Sequence, residues 1–301
     1  SSSNPAALKP VPGEATWGKR TARPTASGGP VVYSTGPSWH GGGMSTFSLE
    51  DRARRLRELH AAPEILRVVN VWDVVSAKAV LALPETRALA TAGHSIAASF
   101  GYDDGTIPLE TTLDMVGRIV AAAGDVPVSA DLDDGYADTG DTIRRAIAVG
   151  IVGANMEDRL RPFDESVARV AAAVAAAEAE GVPFALNART DAIARGGDRP
   201  LDESIADAIA RGRAFLDAGA DVVFVPGVLD AETTARLVEG IGRVSVIGLP
   251  GALRAAEYEK LGVARISYGP LTQRVALTAY QDLAADLYRD GVIPESTRAL
   301  N

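Results

Sequence analysis

The segment Val126–Asp138 reads VPVSADLDDGYAD and contains a clear strand pattern that runs directly into an acidic turn. Val126, Val128 and Ala130 alternate with small or polar residues, which is typical of a short buried strand. Similar apolar runs of strand length recur along the chain, at Leu66–Trp72, Ala88–Ala92, Val152–Met156, Phe184–Ala188, Asp221–Val225, Arg243–Gly248 and Ala264–Tyr268. With Val126–Ala130 they make eight predicted strands.

Segments of helical periodicity separate these strands, for example Ile107–Ala123, Asp164–Gly181, Leu201–Ala218 and Thr233–Ile241. A further helix is predicted ahead of the first strand, with Ser48 as its N-cap. Eight strand–helix alternations with an extra N-terminal helix predict a (β/α)8 TIM-type barrel. A dinucleotide-binding sheet is disfavoured, because no G-x-G-x-x-G motif follows the first strand.

Composition narrows the function classes. The chain has 301 residues, a net charge of −9 and three histidines. It has no cysteine, and this absence excludes disulfides, thiolate metal sites and a cysteine nucleophile. Basic residues are interspersed with acidic ones, so neither a nucleic-acid nor an anionic-membrane partner is predicted. No apolar run reaches the roughly 18 residues of a membrane span. We therefore expect a soluble, cytoplasmic protein.

Residues 1–43 are rich in Ser, Gly, Pro and Thr and show no periodic apolar pattern. They are predicted to be a disordered leader, or residues added ahead of a natural start at Met44. Residues 44–301 are predicted to form a single barrel domain.

Polar residues gather at the predicted strand ends, where a barrel carries its chemistry. Asp131 and Asp133 follow the third strand, Glu157 follows the fourth, and Asn187 and Arg189 belong to the end of the fifth. Clustered carboxylates are costly to desolvate unless a cation lies among them, and oxygen ligands favour Mg²⁺, with Mn²⁺ as an alternative. A solvated acidic turn that caps the next helix is the simpler interpretation.

A cation at Asp131, held directly or through waters by Asp133 and Glu157, could chelate a 2-oxo acid and stabilise an enolate. Arg189 would then bind a second carboxylate or a phosphonate. A structural salt bridge from Arg189 to Asp191 or Glu157 is the alternative.

The segment after the second strand supplies further candidates. Backbone N–H groups from Ala92 to His94 could hold a substrate carboxylate, since Gly93 permits close approach of another group. Trp72, at the end of the first strand, joins Ala92, Gly93, Asn187 and Arg189 in the predicted substrate-binding set. His94 is a predicted proton donor, and a hydrogen-bonded structural role is its alternative.

Seven blocks carry a family resemblance: VVNVWDVVSAKA, TAGHSIAASFGYDDG, ADLDDGYAD, GANMEDR, LNARTDA, AGADVVFVPG and LGVARISYG. In their order and spacing they resemble the isocitrate lyase and phosphoenolpyruvate mutase superfamily, from Val68 to about Tyr288. The resemblance implies a Mg²⁺ site at Asp131, Asp133 and Glu157, a lid-region aspartate at Asp104, and a substrate-binding arginine at Arg189. We predict that Asp104 acts as a base or orients a water, and capping of the helix that begins near Pro108 is its alternative.

Departures from that superfamily limit the predicted reaction. The lid cysteine of its lyases is absent, and the sequence DRLRPFDESVARV after Glu157 leaves almost no room for the lid of its mutases and phosphonopyruvate hydrolases. Pro226 stands where the mutases have a histidine. We predict a Mg²⁺-dependent lyase that acts on a small 2-oxo or dicarboxylic acid through an enolate-like intermediate, by C–C cleavage or decarboxylation. P–C bond chemistry is one alternative, and a ligand-binding barrel without turnover is another.

The C-terminal segment predicts a long helix with a broad apolar stripe, formed by Leu271, Val275, Leu277, Tyr280, Leu283, Leu287 and Tyr288. This stripe could close the barrel of its own chain. The resemblance implies instead an eighth helix that is exchanged between neighbouring subunits, and so a homo-oligomer, either a dimer or a tetramer.

Overall fold

A computed structural model of the protein describes residues 46–300; the predicted leader, residues 1–43, and Met44 lie outside them. The strands are β1 Leu66–Arg67, β2 Asn70–Val71, β3 Leu89–Thr91, β4 Val128–Asp131, β5 Gly153–Glu157, β6 Ala185–Arg189, β7 Val222–Phe224, β8 Val244–Ile247 and β9 Arg265–Ser267. The helices are α1 Leu49–Ala61, α2 Val74–Leu81, α3 Gly93–Ser99, α4 Leu109–Ala123, α5 Thr139–Ala148, α6 Phe163–Ala179, α7 Leu201–Asp217, α8 Ala231–Ile241, α9 Ala255–Lys260 and α10 Leu271–Tyr288.

All strands are parallel and belong to one sheet in the order β1-β9-β8-β7-β6-β5-β4-β3-β2. β1 pairs with β9, and β2 pairs with β3. Only two residues separate β1 from β2, so a single extended segment joins both edges of the sheet. The sheet therefore curls into the predicted TIM-like α/β fold, with every predicted strand in place.

The extra helix α1 begins as predicted, with Ser48 as its N-cap and a reciprocal hydrogen bond between Ser48 and Asp51. Ala53, Leu56 and Leu59 on one face of this helix are buried. Leu56 lies so close to Gly153, the first residue of β5, that a Cβ there would be 2.7 Å from the Leu56 Cδ2. Helix α1 therefore packs against the amino-terminal end of the barrel and leaves the opposite end open.

The other predicted helices differ from the observed ones by a few residues at their ends. Pro108, Pro162 and Pro200 are the N-caps of α4, α6 and α7, and each has a φ near the value that proline imposes. Periodicity alone does not fix the end of a helix to a single residue, because the residues on either side of that end have similar polarity. Within residues 46–300, no helix combines the length and the apolar character that crossing a membrane requires.

Candidate active site

A cavity of about 780 Å³ opens at the carboxyl ends of the strands. Asp131, Glu157 and Arg189 are the last residues of β4, β5 and β6, and Glu157 is in register with Arg189 across the sheet. Parallel strands bring their carboxyl ends to one edge, which is why residues distant in sequence meet here. The cavity lining includes most of the predicted site: His94, Asp104, Asp131, Asp133, Glu157, Asn187 and Arg189.

The Asp131 carboxylate is held in place by two neighbours. Its Oδ2 accepts the Gly93 N–H at 3.0 Å, and its Oδ1 accepts the Asn155 side-chain amide at 3.2 Å. The Asn155 amide oxygen in turn accepts from Asn187 at 3.2 Å. A row of hydrogen bonds therefore fixes Asp131 at the edge of the cavity.

Asp133 experiences crowding of like charge. Its backbone is in the left-handed region, with φ of 50°, within the turn that follows β4. Burial raises the pKa of its carboxyl group to about 7, and the negative charges of Asp131, Glu157 and Asp104 add to this effect. Three carboxylates therefore act on Asp133 from around the cavity, which is the condition that a cation would relieve.

Glu157 is surrounded by guanidinium groups. Its Oε2 lies 2.8 Å from Arg189 Nη1, and its Oε1 accepts from Arg159 Nε at 3.0 Å. Burial raises the pKa of Glu157, while the charge of Arg189 acts in the opposite direction. Arg189 also donates from Nε to Asp191 at 2.8 Å. Both partners that were proposed for a structural role of Arg189 are therefore in contact with it.

His94 and Asp104 are neighbours in the lining of the cavity. His94 Nδ1 lies 3.5 Å from Asp104 Oδ1, and both side chains are partly exposed to solvent. Their position fits proton transfer near the substrate, and their catalytic roles remain predictions.

Trp72, Ala92 and Gly93 do not belong to the cavity lining of the described residues. The Trp72 side chain packs against the core, and the backbone N–H of Trp72 donates to the Ser76 hydroxyl. The Gly93 N–H is given to Asp131 rather than left open, and a Cβ at Gly93 would lie 3.0 Å from Asp131 Oδ2. The close approach predicted at Gly93 is thus made by Asp131, and substrate binding by these three residues stays a prediction.

The donor set fits a hard cation held by few protein atoms. Among residues 46–300, no three His, Cys, Asp or Glu side chains lie close enough together to hold an ion between them. Mg²⁺ commonly binds one or two carboxylates and keeps several waters, so it does not need such a cage. Asp131 would be the direct ligand, and Asp133 and Glu157 would act through waters.

Sequence reasoning missed several polar residues of the cavity, among them Asn155, Arg159, Arg265 and Arg274. Asn155 precedes Glu157 by two positions, so strand alternation places both side chains on one face and could have identified it. The same alternation pairs Arg265 with Ser267 on β9. Arg159 and Arg274 lie outside the strands, and no local pattern marks them.

A comparison with protein families now adds to this geometry. Residues 56–288 match the model of the family described as phosphoenolpyruvate phosphomutase. The chain belongs to this family. The superfamily predicted from the sequence is thereby confirmed, and it consists of lyases and mutases, so the protein is an enzyme of that broad kind.

Named relatives of the phosphomutase family carry different reactions. The chain is 30% identical to 2,3-dimethylmalate lyase of Eubacterium barkeri, over 79% of this chain and 86% of the relative. It is also 30% identical to oxaloacetate decarboxylase of Paraburkholderia xenovorans, over 80% of this chain and 83% of that relative. A candidate phosphonomutase structure from Burkholderia cenocepacia aligns with a TM-score of 0.74 and 35% identity, over 81% of this chain and all of that one.

The connection after β5 is short. Strand β5 ends at Glu157 and helix α6 begins at Phe163, so only five residues, 158–162, connect them. Arg159 in this loop pairs with Glu157 and lies 3.4 Å from Asp134. The prediction of a very short lid region is therefore confirmed.

Proposed function

We propose that the protein is a Mg²⁺-dependent lyase that acts on a small 2-oxo or dicarboxylic acid through an enolate-like intermediate, by C–C cleavage or decarboxylation. The observation that carries this proposal is the convergence of Asp131, Asp133, Glu157 and Arg189 on one cavity. Mg²⁺, with Mn²⁺ as an alternative, would supply Lewis-acid stabilisation of the charge that develops on the substrate.

Arg189 would bind and orient a substrate carboxylate. Its contacts with Glu157 and Asp191 hold the planar guanidinium in one orientation. Five N–H groups in a fixed fork allow arginine to keep these contacts and still donate to a ligand. The cation–π contact with Phe224, at 5.9 Å, restricts the group further.

Proton transfer would involve His94 and Asp104. Asp104 lies beside the Nδ1 atom of His94 and would leave Nε2 to take or deliver a proton at the substrate. Both groups line the cavity, within the same opening as Asp131.

P–C bond chemistry is the second candidate, favoured by the likeness to the Burkholderia candidate phosphonomutase. The five-residue connection after β5 and Pro226 in the cavity lining speak against it. Arg159 in this connection pairs with Glu157.

A steady-state assay with oxaloacetate, substituted malates and phosphonopyruvate, with and without Mg²⁺, separates these candidates. We expect Mg²⁺-dependent turnover of at least one 2-oxo or dicarboxylic acid and none of phosphonopyruvate. Turnover of phosphonopyruvate alone would establish P–C chemistry. Binding of oxalate without any turnover would support a barrel that only binds ligands.

Asp131→Ala tests the cation site directly. The change removes the predicted direct ligand and two hydrogen bonds at the edge of the cavity. We expect Mg²⁺ binding to be lost in calorimetric titration while the circular dichroism spectrum is retained. Mg²⁺ affinity equal to that of the parent would refute the assignment of Asp131.

A further inference from the structure

Arg265 is a buried cation that the proposed chemistry does not use. It is the first residue of β9, in register with Leu66 of β1 and Ser245 of β8. The residue is 2% exposed, yet it is part of the cavity lining. Arg265 lies two residues before the end of β9, and Ser129 lies two residues before the end of β4. We call the part of the cavity around these two residues the floor of the cavity.

The Arg265 guanidinium lacks a partner among residues 46–300. Its Nε and Nη1 atoms are buried and have no hydrogen-bond partner within that range. No carboxylate of the described residues lies within salt-bridge distance of it, whereas Arg159, Arg189 and Arg195 each contact one. A buried, unpaired charge costs several kcal/mol, so a group that satisfies this cation is expected.

Other unpartnered polar atoms accompany Arg265. The hydroxyl groups of Ser129 and Ser245 and the amide oxygen of Asn187 are also buried without a partner in the described part of the chain. Ser245 neighbours Arg265 in the sheet, and Ser129 and Asn187 line the same cavity. Arg265 has two buried nitrogen atoms without an acceptor in this part of the chain, and each hydroxyl can donate one hydrogen bond, so these groups can bind an anion, whereas the Asn187 oxygen can only accept.

Arg265 keeps its charge at neutral pH. Burial lowers the pKa of its guanidinium to about 10, and the negative charges of Asp131 and Asp221 partly oppose this. Of these two carboxylates, only Asp131 lines the cavity, and the proposed function assigns it to Mg²⁺. Among the lining residues, four carboxylates face five guanidinium groups, so a bound divalent cation would leave an excess of positive charge. A ligand with two negative charges would offset most of this excess.

We propose that Arg265 is an anion-binding residue at the floor of the cavity, and that it receives the second carboxylate of a dicarboxylic substrate. This inference rests on the proposed function, and it assigns the 2-oxo acid end of the substrate, with its first carboxylate, to the cation at Asp131 and to Arg189. It makes the substrate class a 2-oxo dicarboxylic acid rather than a 2-oxo monocarboxylic acid. Arg265 would therefore determine specificity, because an acid that ends in a methyl group would leave the guanidinium unpaired.

Matched pairs of 2-oxo acids with and without a terminal carboxylate test the proposal. The pairs are 2-oxobutanoate with oxaloacetate, 2-oxopentanoate with 2-oxoglutarate, and 2-oxohexanoate with 2-oxoadipate. Each acid is titrated into Mg²⁺-loaded protein that carries bound oxalate, and the displacement of oxalate is measured. We expect at least one dicarboxylate to bind at least about tenfold more tightly than its monocarboxylate partner. This is the gain in affinity that a hydrogen bond to a charged group usually gives.

Arg265→Met should abolish that preference, and Arg265→Lys should retain part of it. The control is Arg118→Met, which removes an exposed guanidinium on α4, outside the cavity lining, and should keep the preference. The melting temperature of ligand-free Arg265→Met should not fall, since an uncompensated buried charge is removed. If Arg265→Met does not fold, the partial loss of the dicarboxylate preference in Arg265→Lys decides whether Arg265 binds the anion.

Two results would overturn the role of Arg265. One is the absence of any dicarboxylate preference in the parent protein. The other is an equal effect of Arg265→Met on both members of each pair, as expected if buried waters satisfy the guanidinium. Failure of oxalate to bind the parent in the presence of Mg²⁺ would instead contradict the proposed function. The pairs are then titrated directly, and the same two results decide on Arg265.

Discussion

At Asp133, burial and three neighbouring carboxylates act on the same carboxyl group and raise its pKa from 3.8 to about 7. The folded state therefore binds this proton more tightly than the unfolded state does. Protonation stabilises the metal-free fold fully below pH 4, and this contribution is lost as the pH rises through 7. A divalent cation competes with the proton, so Mg²⁺ affinity should rise over the same range.

Asp133→Asn should remove this pH dependence. Three pKa units correspond to at most about 4 kcal/mol in the free energy of unfolding, and solvent access reduces this figure. Urea unfolding in EDTA between pH 4.5 and 8 should show stability that declines with pH in the parent and declines less in the variant. Parallel pH profiles for the two proteins would contradict the charge crowding at Asp133.

Arg189 is the second residue for which the structure sharpens a prediction. Its contacts with Glu157 and Asp191 require a planar fork, which lysine lacks. Arg189→Lys should lower kcat/KM by an amount worth about 1.5 to 3 kcal/mol, the usual range for hydrogen bonds to charged groups. Unchanged turnover and oxalate affinity would mean that Arg189 serves the fold alone.

Among the elements, the junction of β3 and α3 matters most for the site. Helix α3 begins at Gly93, and the N–H of this residue donates to the Asp131 carboxylate. A side chain at Gly93 would press on that carboxylate, at 3.0 Å from Oδ2 and 3.2 Å from Cγ. The conformation of this junction is therefore coupled to the predicted cation ligand.

Gly93→Ala should displace Asp131 and weaken Mg²⁺ binding about tenfold, as is usual when the support of a metal ligand is disturbed. Gly140→Ala is the matched control, because a Cβ there would be no closer than 3.5 Å to any neighbour. Calorimetry measures the affinities, and thermal unfolding shows that both variants are folded. Equal Mg²⁺ affinity in both variants would argue against the coupling of Gly93 to Asp131.

At the scale of the whole molecule, helix α10 leaves the barrel. Thr272 and Gln273 anchor its first turn to Asn70 of β2 and Ser95 of α3. Beyond this turn, Val275 and Tyr280 are 69% exposed and Tyr288 is 91% exposed. Such an apolar stripe is costly in water, and we propose that a second copy of the chain covers it, in a dimer or tetramer.

Light scattering at micromolar concentration should give a mass that is a multiple of 31.2 kDa. Tyr280→Glu should shift the mass toward the monomer, because it puts a charge into the apolar stripe. Gln281→Glu, at an exposed polar position of the same helix, should leave assembly unchanged. A monomeric parent would exclude the homo-oligomer.

The cytoplasmic location stays a prediction.

Much of the architecture could be predicted because it depends on local properties of the chain. Alternation in Val126–Ala130 and the cap at Ser48 are read from adjacent residues, and repeated strand–helix units limit the fold to few alternatives. The position of Asp131, Glu157 and Arg189 around one opening then follows from the parallel direction of the strands.

By itself, the sequence therefore determined the order of the elements, the barrel and the carboxylates at its open end. Only the tertiary structure decided which side chains pair. The Gly93 N–H meets Asp131 across 38 residues, and Arg265 remains buried without a partner because no carboxylate of the described residues reaches it. Such contacts depend on distances between strands and loops that are far apart in the chain, and local periodicity carries no information about those distances.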